Sequence, residues 1–181
     1  CSGTARLRVA VQISKPLSVR KLFIYLSTLM CILSCIKEGN AGADLKVGDS
    51  LPDFYITTDA GVDISGEYLR DGISCVVFFT TACPDCQQTL PHIQRIYDEY
   101  QKKGVKFAII SRQESAGSVA AYWAQQGLTM PYCAQKDRSI YELFARTGVP
   151  RVYISKDGVI RNIFTDSPNP TYDSLKEAID D

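Results

Sequence analysis

The chain has 181 residues, 45% of them hydrophobic and 22% charged, which suits one domain with a single core and excludes a disordered chain. Twenty basic residues balance twenty acidic ones, so there is no net basic face for phosphate and nucleic acid is not an expected partner.

The N-terminus is the uneven stretch. Residues 5–21 hold Arg6, Arg8, Lys15, Arg20 and Lys21 and no acid. Thirteen uncharged residues follow, Leu22 to Ser34, and end at Cys35. As a helix they would span about 20 Å, short of the roughly 30 Å hydrocarbon core. A basic flank before a short apolar run is the layout of an export signal, and residues 1–35 are expected to be one. The competing reading is a core helix, but the run has no polar face and the domain that follows is complete without it. Ile32-Leu33-Ser34-Cys35 resembles a bacterial lipobox, which implies lipidation at Cys35 and a lipid anchor on the periplasmic side of a bacterial membrane. A simple cleaved signal is the alternative, and Cys31 is a competing site. With Cys1 first and no Met before Met30, the first residues read as a mis-set or truncated start. In either case the domain is exported, to where disulfide chemistry is permitted. Residues 36–47 are small and polar and are expected to form a flexible tether, leaving 48–181 as the domain.

From Gly48 onward strand and helix signals alternate, which predicts an α/β layer fold. FYITTDAGVDI reads as a hairpin turning at Asp59-Ala60-Gly61. Cys75 to Thr80 is a continuous apolar run of the kind buried on both faces in a central strand. After Gln87, the residues Leu90, Ile93, Tyr97 and Tyr100 recur at helical spacing until Gly104. Val105 to Ser111 is a second buried strand, and Val119, Tyr122 and Trp123 mark a helix closed by Gly127. A third helix is expected through Ile140, Leu143 and Phe144 to Gly148. RVYIS and VIRNIF flank Lys156-Asp157-Gly158, a hairpin signal. The last helix is expected to open with Asn169 as cap and Pro170 at its first position, with Tyr172, Leu175 and Ile179 on its apolar side.

Cys83-Pro84-Asp85-Cys86 falls at the turn from the central strand into the first long helix. There a cysteine faces unpaired backbone N–H groups and the positive end of the helix dipole, which stabilise its thiolate. A spacing of two brings the second sulfur within reach of the first, with Cys83 at the tip and Cys86 turned inward. A zinc site would need about four ligands, but there is no second C-x-x-C and the only histidine is His92, expected on the helix surface. A structural bridge would rarely close so small a ring at a helix start. Redox exchange is the reading that remains, and it requires no cofactor and no metal. Cys75, Cys133, Tyr132, Tyr141 and Trp123 are expected to be packing.

FFTTACPDCQQTLP resembles the active-site segment of thioredoxin-fold proteins, in which C-x-x-C is followed five residues later by a proline, here Pro91. Thr147-Gly148-Val149-Pro150 before RVYISKDG resembles the family's cis-proline loop. VGDSLPDFYITTDAG is similar to the entry segment of the TlpA/ResA-like branch, the exported and membrane-tethered thiol–disulfide oxidoreductases. The likeness runs from about Val47 to Asp181. It implies a central mixed β-sheet with helices on both faces, an N-terminal hairpin extension and a central helical insert. It further implies that Cys83 is the nucleophile, Cys86 the resolving thiol and Pro150 the cis-proline, with Val149, Pro84 and Asp85 facing substrate. The partners implied are protein or small-thiol disulfides and a membrane thiol-electron donor, with reduction as the direction.

The sequence also departs from that pattern. Ala82 stands where the family usually has Trp, Val77 where thioredoxin has a buried acid, and Thr89 where cytochrome-maturation members carry a glutamate. Asp85 is then the nearest carboxylate to Cys86, and Asp85 or water is expected to handle its proton. Two rival functions stay open. A peroxiredoxin resembles P-x-x-x-T-x-x-C; Thr80 and Cys83 match, but Val76 stands at the proline. A non-catalytic, lipid-anchored binding module on the same scaffold is the other.

Overall fold

The structure, a computed structural model, describes residues 44–181; the export signal, Cys35 and most of the expected tether lie outside the described residues. Residues 44–47 were expected in the tether but are bound to the domain. Leu45 N donates to Phe144 O at 2.9 Å, and Asp44 accepts from Arg146 N at 2.8 Å and pairs with Arg151 at 3.0 Å. The domain therefore reaches back to Asp44, because an ion pair and a half-buried leucine hold its entry segment down.

Strand β1 (Tyr55–Thr57) pairs antiparallel with β2 (Asp63–Ser65) across the expected turn. β2 runs directly into a short helix, α1 (Gly66–Leu69), capped by the Ser65 hydroxyl, which accepts from Tyr68 N at 3.1 Å. Its first residue has to be glycine: a Cβ there would lie 2.4 Å from Pro52 O. No periodicity announces so short a helix, and the sequence reading contains none here.

The main sheet has the order β5-β4-β3-β6-β7. At its centre β3 (Ile73–Phe79) runs parallel to β4 (Lys106–Arg112) and antiparallel to β6 (Arg151–Lys156). β5 (Cys133–Gln135) lies parallel outside β4, and β7 (Val159–Phe164) antiparallel outside β6. Asp157 and Gly158 turn β6 into β7 with φ of 51° and 74°, the two left-handed positions a tight hairpin of this hand demands.

Alternate residues of β3 build two cores, as the period of a strand requires. Cys75, Val77 and Phe79 face α2 (Pro84–Tyr100), α3 (Ala116–Gln126) and α4 (Tyr172–Asp180), through residues such as Leu90, Ile93, Trp123 and Leu175. Val76 and Phe78 face the hairpin, α1 and a single 3-10 turn at Tyr141–Leu143. Phe78 meets Tyr141, Phe144 and Tyr153 with ring centroids 5.4, 4.9 and 6.3 Å away. The sheet is thus covered by helical segments on both faces, with the three long helices on one of them.

Two expected elements differ. The third helix, expected through Ile140 to Gly148, shrinks to that one 3-10 turn. Tyr141 and Phe144 both enter the core, and the Tyr141 hydroxyl donates to Gly148 O at 2.6 Å, so the chain folds back before an α-helix can propagate. The last helix begins at Tyr172, not Pro170, because Thr171 is the cap in a reciprocal capping box with Ser174. Asn169 is left with another task.

Candidate active site

β3 ends at Phe79, and four residues later Cys83 caps α2, with Pro84 at the first helical position where its missing N–H costs nothing. The chain between is held by side chains from two directions. The Glu114 carboxylate, two residues beyond β4, accepts from Thr81 N at 3.0 Å with both oxygens and from the Thr81 hydroxyl. Gln87 Nε2 donates to Thr81 O at 2.9 Å. Neither Glu114 nor Gln87 stands out in the sequence. Glu114 follows the carboxyl end of a central strand, a position where α/β sheets place their sites, and that rule is the signal that points to it.

Cys83 is half-buried, and its Sγ accepts from Cys86 N at 3.4 Å, one of the first-turn amides that have no partner within the helix. The same sulfur donates to Val149 O at 3.4 Å. Val149 precedes Pro150, and the Val149–Pro150 peptide is cis. The motif and the proline loop, 66 residues apart in sequence, therefore meet at Cys83. Tyr141 anchors that loop from beneath through Gly148 O. Pro84 is exposed, Asp85 and Val149 are half-buried, and Pro150 is buried behind them.

Cys86 is fully buried, and burial pushes its thiol well above the ordinary cysteine range. A hydrogen bond with the Thr80 backbone works against that rise, while the Cys83 sulfur and the Asp85 charge add to it. The half-buried sulfur thus meets a helix-terminal amide, and the fully buried one is held as the neutral thiol. All four described cysteines are free thiols.

Neither Val77 nor Thr89 supplies an acid for Cys86: Val77 is fully buried, and Thr89, 1% exposed, has a hydroxyl without a hydrogen-bond partner. Asp85 accepts from Asn169 Nδ2 at 3.0 Å. Asn169 is a site residue the sequence reading missed; the Asn-Pro pair reads as a helix cap, which drew it to the wrong element. His92, expected on the surface, is half-buried with Nδ1 enclosed and unpartnered.

Cys75 and Cys133 stand apart from this pair: Cys75 is four residues short of the end of β3, and Cys133 is level with Phe78 but two strands across the sheet. Cys75 lies inside β3 on the α2 face, and Cys133 opens β5 on the opposite face, accepting from Gln135 Nε2 at 3.2 Å. Trp123 donates to Met130 O at 2.9 Å and packs against Phe79 and Tyr132, so it is a core residue, as is Tyr141.

Comparison with known proteins is in keeping with this geometry. A family model described as the AhpC/TSA family matches residues 47–163. A thiol-disulfide oxidoreductase ResA of Oceanobacillus iheyensis is 29% identical over 147 residues, covering 78% of this chain and 76% of that protein. Among solved structures, a thiol:disulfide interchange protein of the thioredoxin family from Chlorobium tepidum superposes with a TM-score of 0.64 at 21% identity, covering 76% of this chain and 97% of its own. StoA from Bacillus subtilis gives 0.62 at 22% identity, covering 71% and 96%. The fold is that of thioredoxin.

Proposed function

This chain belongs to the AhpC/TSA family, and on that footing we propose that it is an extracytoplasmic thiol–disulfide oxidoreductase that works as a disulfide reductase. The observation that carries the reading is the meeting of two groups at one sulfur. Cys83 Sγ stands half-exposed at the start of α2, with the amide of a buried partner thiol on one side and the cis-proline loop on the other.

Cys83 thiolate attacks one sulfur of a substrate disulfide, forming a mixed disulfide and expelling the other sulfur as a thiolate that takes up a proton. Cys86 loses its proton to Asp85 or water and attacks Cys83 Sγ, releasing the second substrate thiol. Two electrons pass to the substrate, and the protein is left with a Cys83–Cys86 disulfide. Because burial keeps Cys86 protonated, it stays out of the first attack and acts only once its partner sulfur is bonded to substrate. Pro84 and Asp85 flank the attacking sulfur, and once Cys83 is a thiolate and no longer donates to Val149 O, the Val149 backbone beside Pro150 can pair with an extended substrate segment.

The cycle closes when a thiol donor in the membrane reduces the pair, a role that suits a domain held there by a lipid on Cys35. Protein disulfides and small-thiol disulfides are the substrate class. Residues 1–35 as an export signal would place the domain on the side where such bonds form.

The test is the reduction potential of the Cys83–Cys86 couple in glutathione and dithiothreitol buffers, on protein that begins after Cys35. A value near or below about −230 mV supports a reductase. One near about −120 mV makes it an oxidant of folding proteins and reverses the direction. A second reading, thiol peroxidase, is favoured by the family match and by Thr80 preceding Cys83 by three residues; peroxide consumption faster than disulfide reduction would establish it.

A further inference from the structure

Asp85 lies between the two sulfurs in sequence, in the first turn of α2, and it accepts a hydrogen bond from the Asn169 side chain 84 residues away. An ionised carboxylate can only accept, so the amide must present Nδ2 to it. That fixes Asn169 Oδ1 on the other side, where it is enclosed and meets no donor. The Asn169 side chain therefore does nothing to hold its own loop. It does not cap α4 either, since Thr171 and Ser174 do that reciprocally. The loop before the motif is in turn secured by Glu114 and Gln87, without help from Asn169. What remains for this side chain is Asp85.

We propose that Asn169 is a positioning residue of the redox site, which sets the stability of the reduced dithiol by binding the Asp85 carboxylate. The proposal rests on the reductase reading of Cys83 and Cys86 and adds a control from outside the motif.

The physical reasoning has a definite sign. Thiolates exist only in the reduced form, and a carboxylate beside the sulfurs opposes negative charge on either of them. A hydrogen bond from Asn169 draws part of that charge onto the amide and holds the carboxylate to the loop before α4. Removing the amide leaves Asp85 to oppose the thiolates at full strength. The reduced form then loses stability, and the couple becomes more reducing. Removing the carboxylate itself does the opposite, and afterwards the amide has nothing to act upon.

The experiment is a double-mutant cycle read as reduction potential, using wild type, Asn169→Ala, Asp85→Asn and the double variant in glutathione and dithiothreitol buffers at pH 7 and again at pH 9.5, where the reduced pair carries more thiolate. Asn169→Ala is expected to shift the dithiol–disulfide equilibrium about threefold to tenfold toward the disulfide at the higher pH, a potential lower by roughly 15–30 mV at 29.6 mV per tenfold, and by less at pH 7. Asp85→Asn is expected to raise the potential, and Asn169→Ala is expected to have no further effect in that background. If Asn169→Ala leaves the potential unchanged, or shifts it equally with and without the Asp85 carboxylate, Asn169 has no such role. A wild-type pair that does not cycle at all would instead overturn the reductase reading, so the two failures are told apart.

Discussion

Cys75 and Cys83 are eight residues apart on one stretch of chain, at opposite ends of the same strand and turn. Cys75 is sealed between β3 and α2, and burial alone pushes its thiol up to about 12. Cys83 sits just beyond the strand, half-exposed, with a helix amide on its sulfur. The residue type is the same and the neighbourhood is almost the same. What differs is whether the sulfur meets oriented backbone dipoles and solvent or only hydrocarbon. The same contrast separates Cys86 from Cys133: both are buried, but only Cys86 has another sulfur within one helical turn. On the proposed function, reactivity comes from position on the fold and not from the presence of a thiol.

That contrast is open to direct attack. Cys83→Ser should lower reduction of a peptide disulfide on the order of 10³-fold or more, since the attacking sulfur is gone. Activity that survived this change would hand the chemistry to a strand thiol and erase the distinction. Cys86→Ala should also stop turnover but leave the first attack intact, so a mixed disulfide through Cys83 should accumulate and be seen by intact-mass measurement. Cys75→Ala should behave oppositely, costing about 1–2 kcal/mol of stability through lost packing and leaving the potential of the Cys83–Cys86 pair where it was.

A titration sharpens the same point. An unfolded cysteine ionises near about 8.5, whereas Cys75 in the fold does so at about 12. Its raised pKa favours the neutral thiol, so this contribution to stability is complete below the unfolded value and is lost as pH climbs toward the folded one. Reduced protein should lose roughly 1.4 kcal/mol per pH unit from this one thiol between about 8.5 and 12. Denaturant unfolding across that range should show a slope shallower by that amount in Cys75→Ala, and an unchanged slope would mean the thiol is not sealed. The smallest effect is expected from Glu114→Gln, which weakens the clamp on Thr81. It should lower kcat/KM by a few-fold with little change in potential, because it loosens the loop without touching the charge beside the sulfurs.

Much of this was legible beforehand. The hairpins around Asp59–Gly61 and Asp157–Gly158 were, because turn chemistry is local. The buried strands were, because a run of apolar β-branched and aromatic residues has few other uses. The four-residue α1 and the collapse of the helix expected through Ile140 were not, since neither is set by local pattern. The first depends on a glycine passing Pro52, and the second on Tyr141 reaching Gly148.

At the site, the sequence by itself determined the two sulfurs, their spacing, the helix they open and the proline loop, because each is a short run whose meaning travels with it. Only the tertiary structure decided which side chains surround them. Glu114 on Thr81 and Asn169 on Asp85 are pairings across 33 and 84 residues, and Cys83 on Val149 spans 66. Such contacts are made by the order of strands in the sheet and the packing of α4 against α2, and no local propensity encodes a partner that far along the chain.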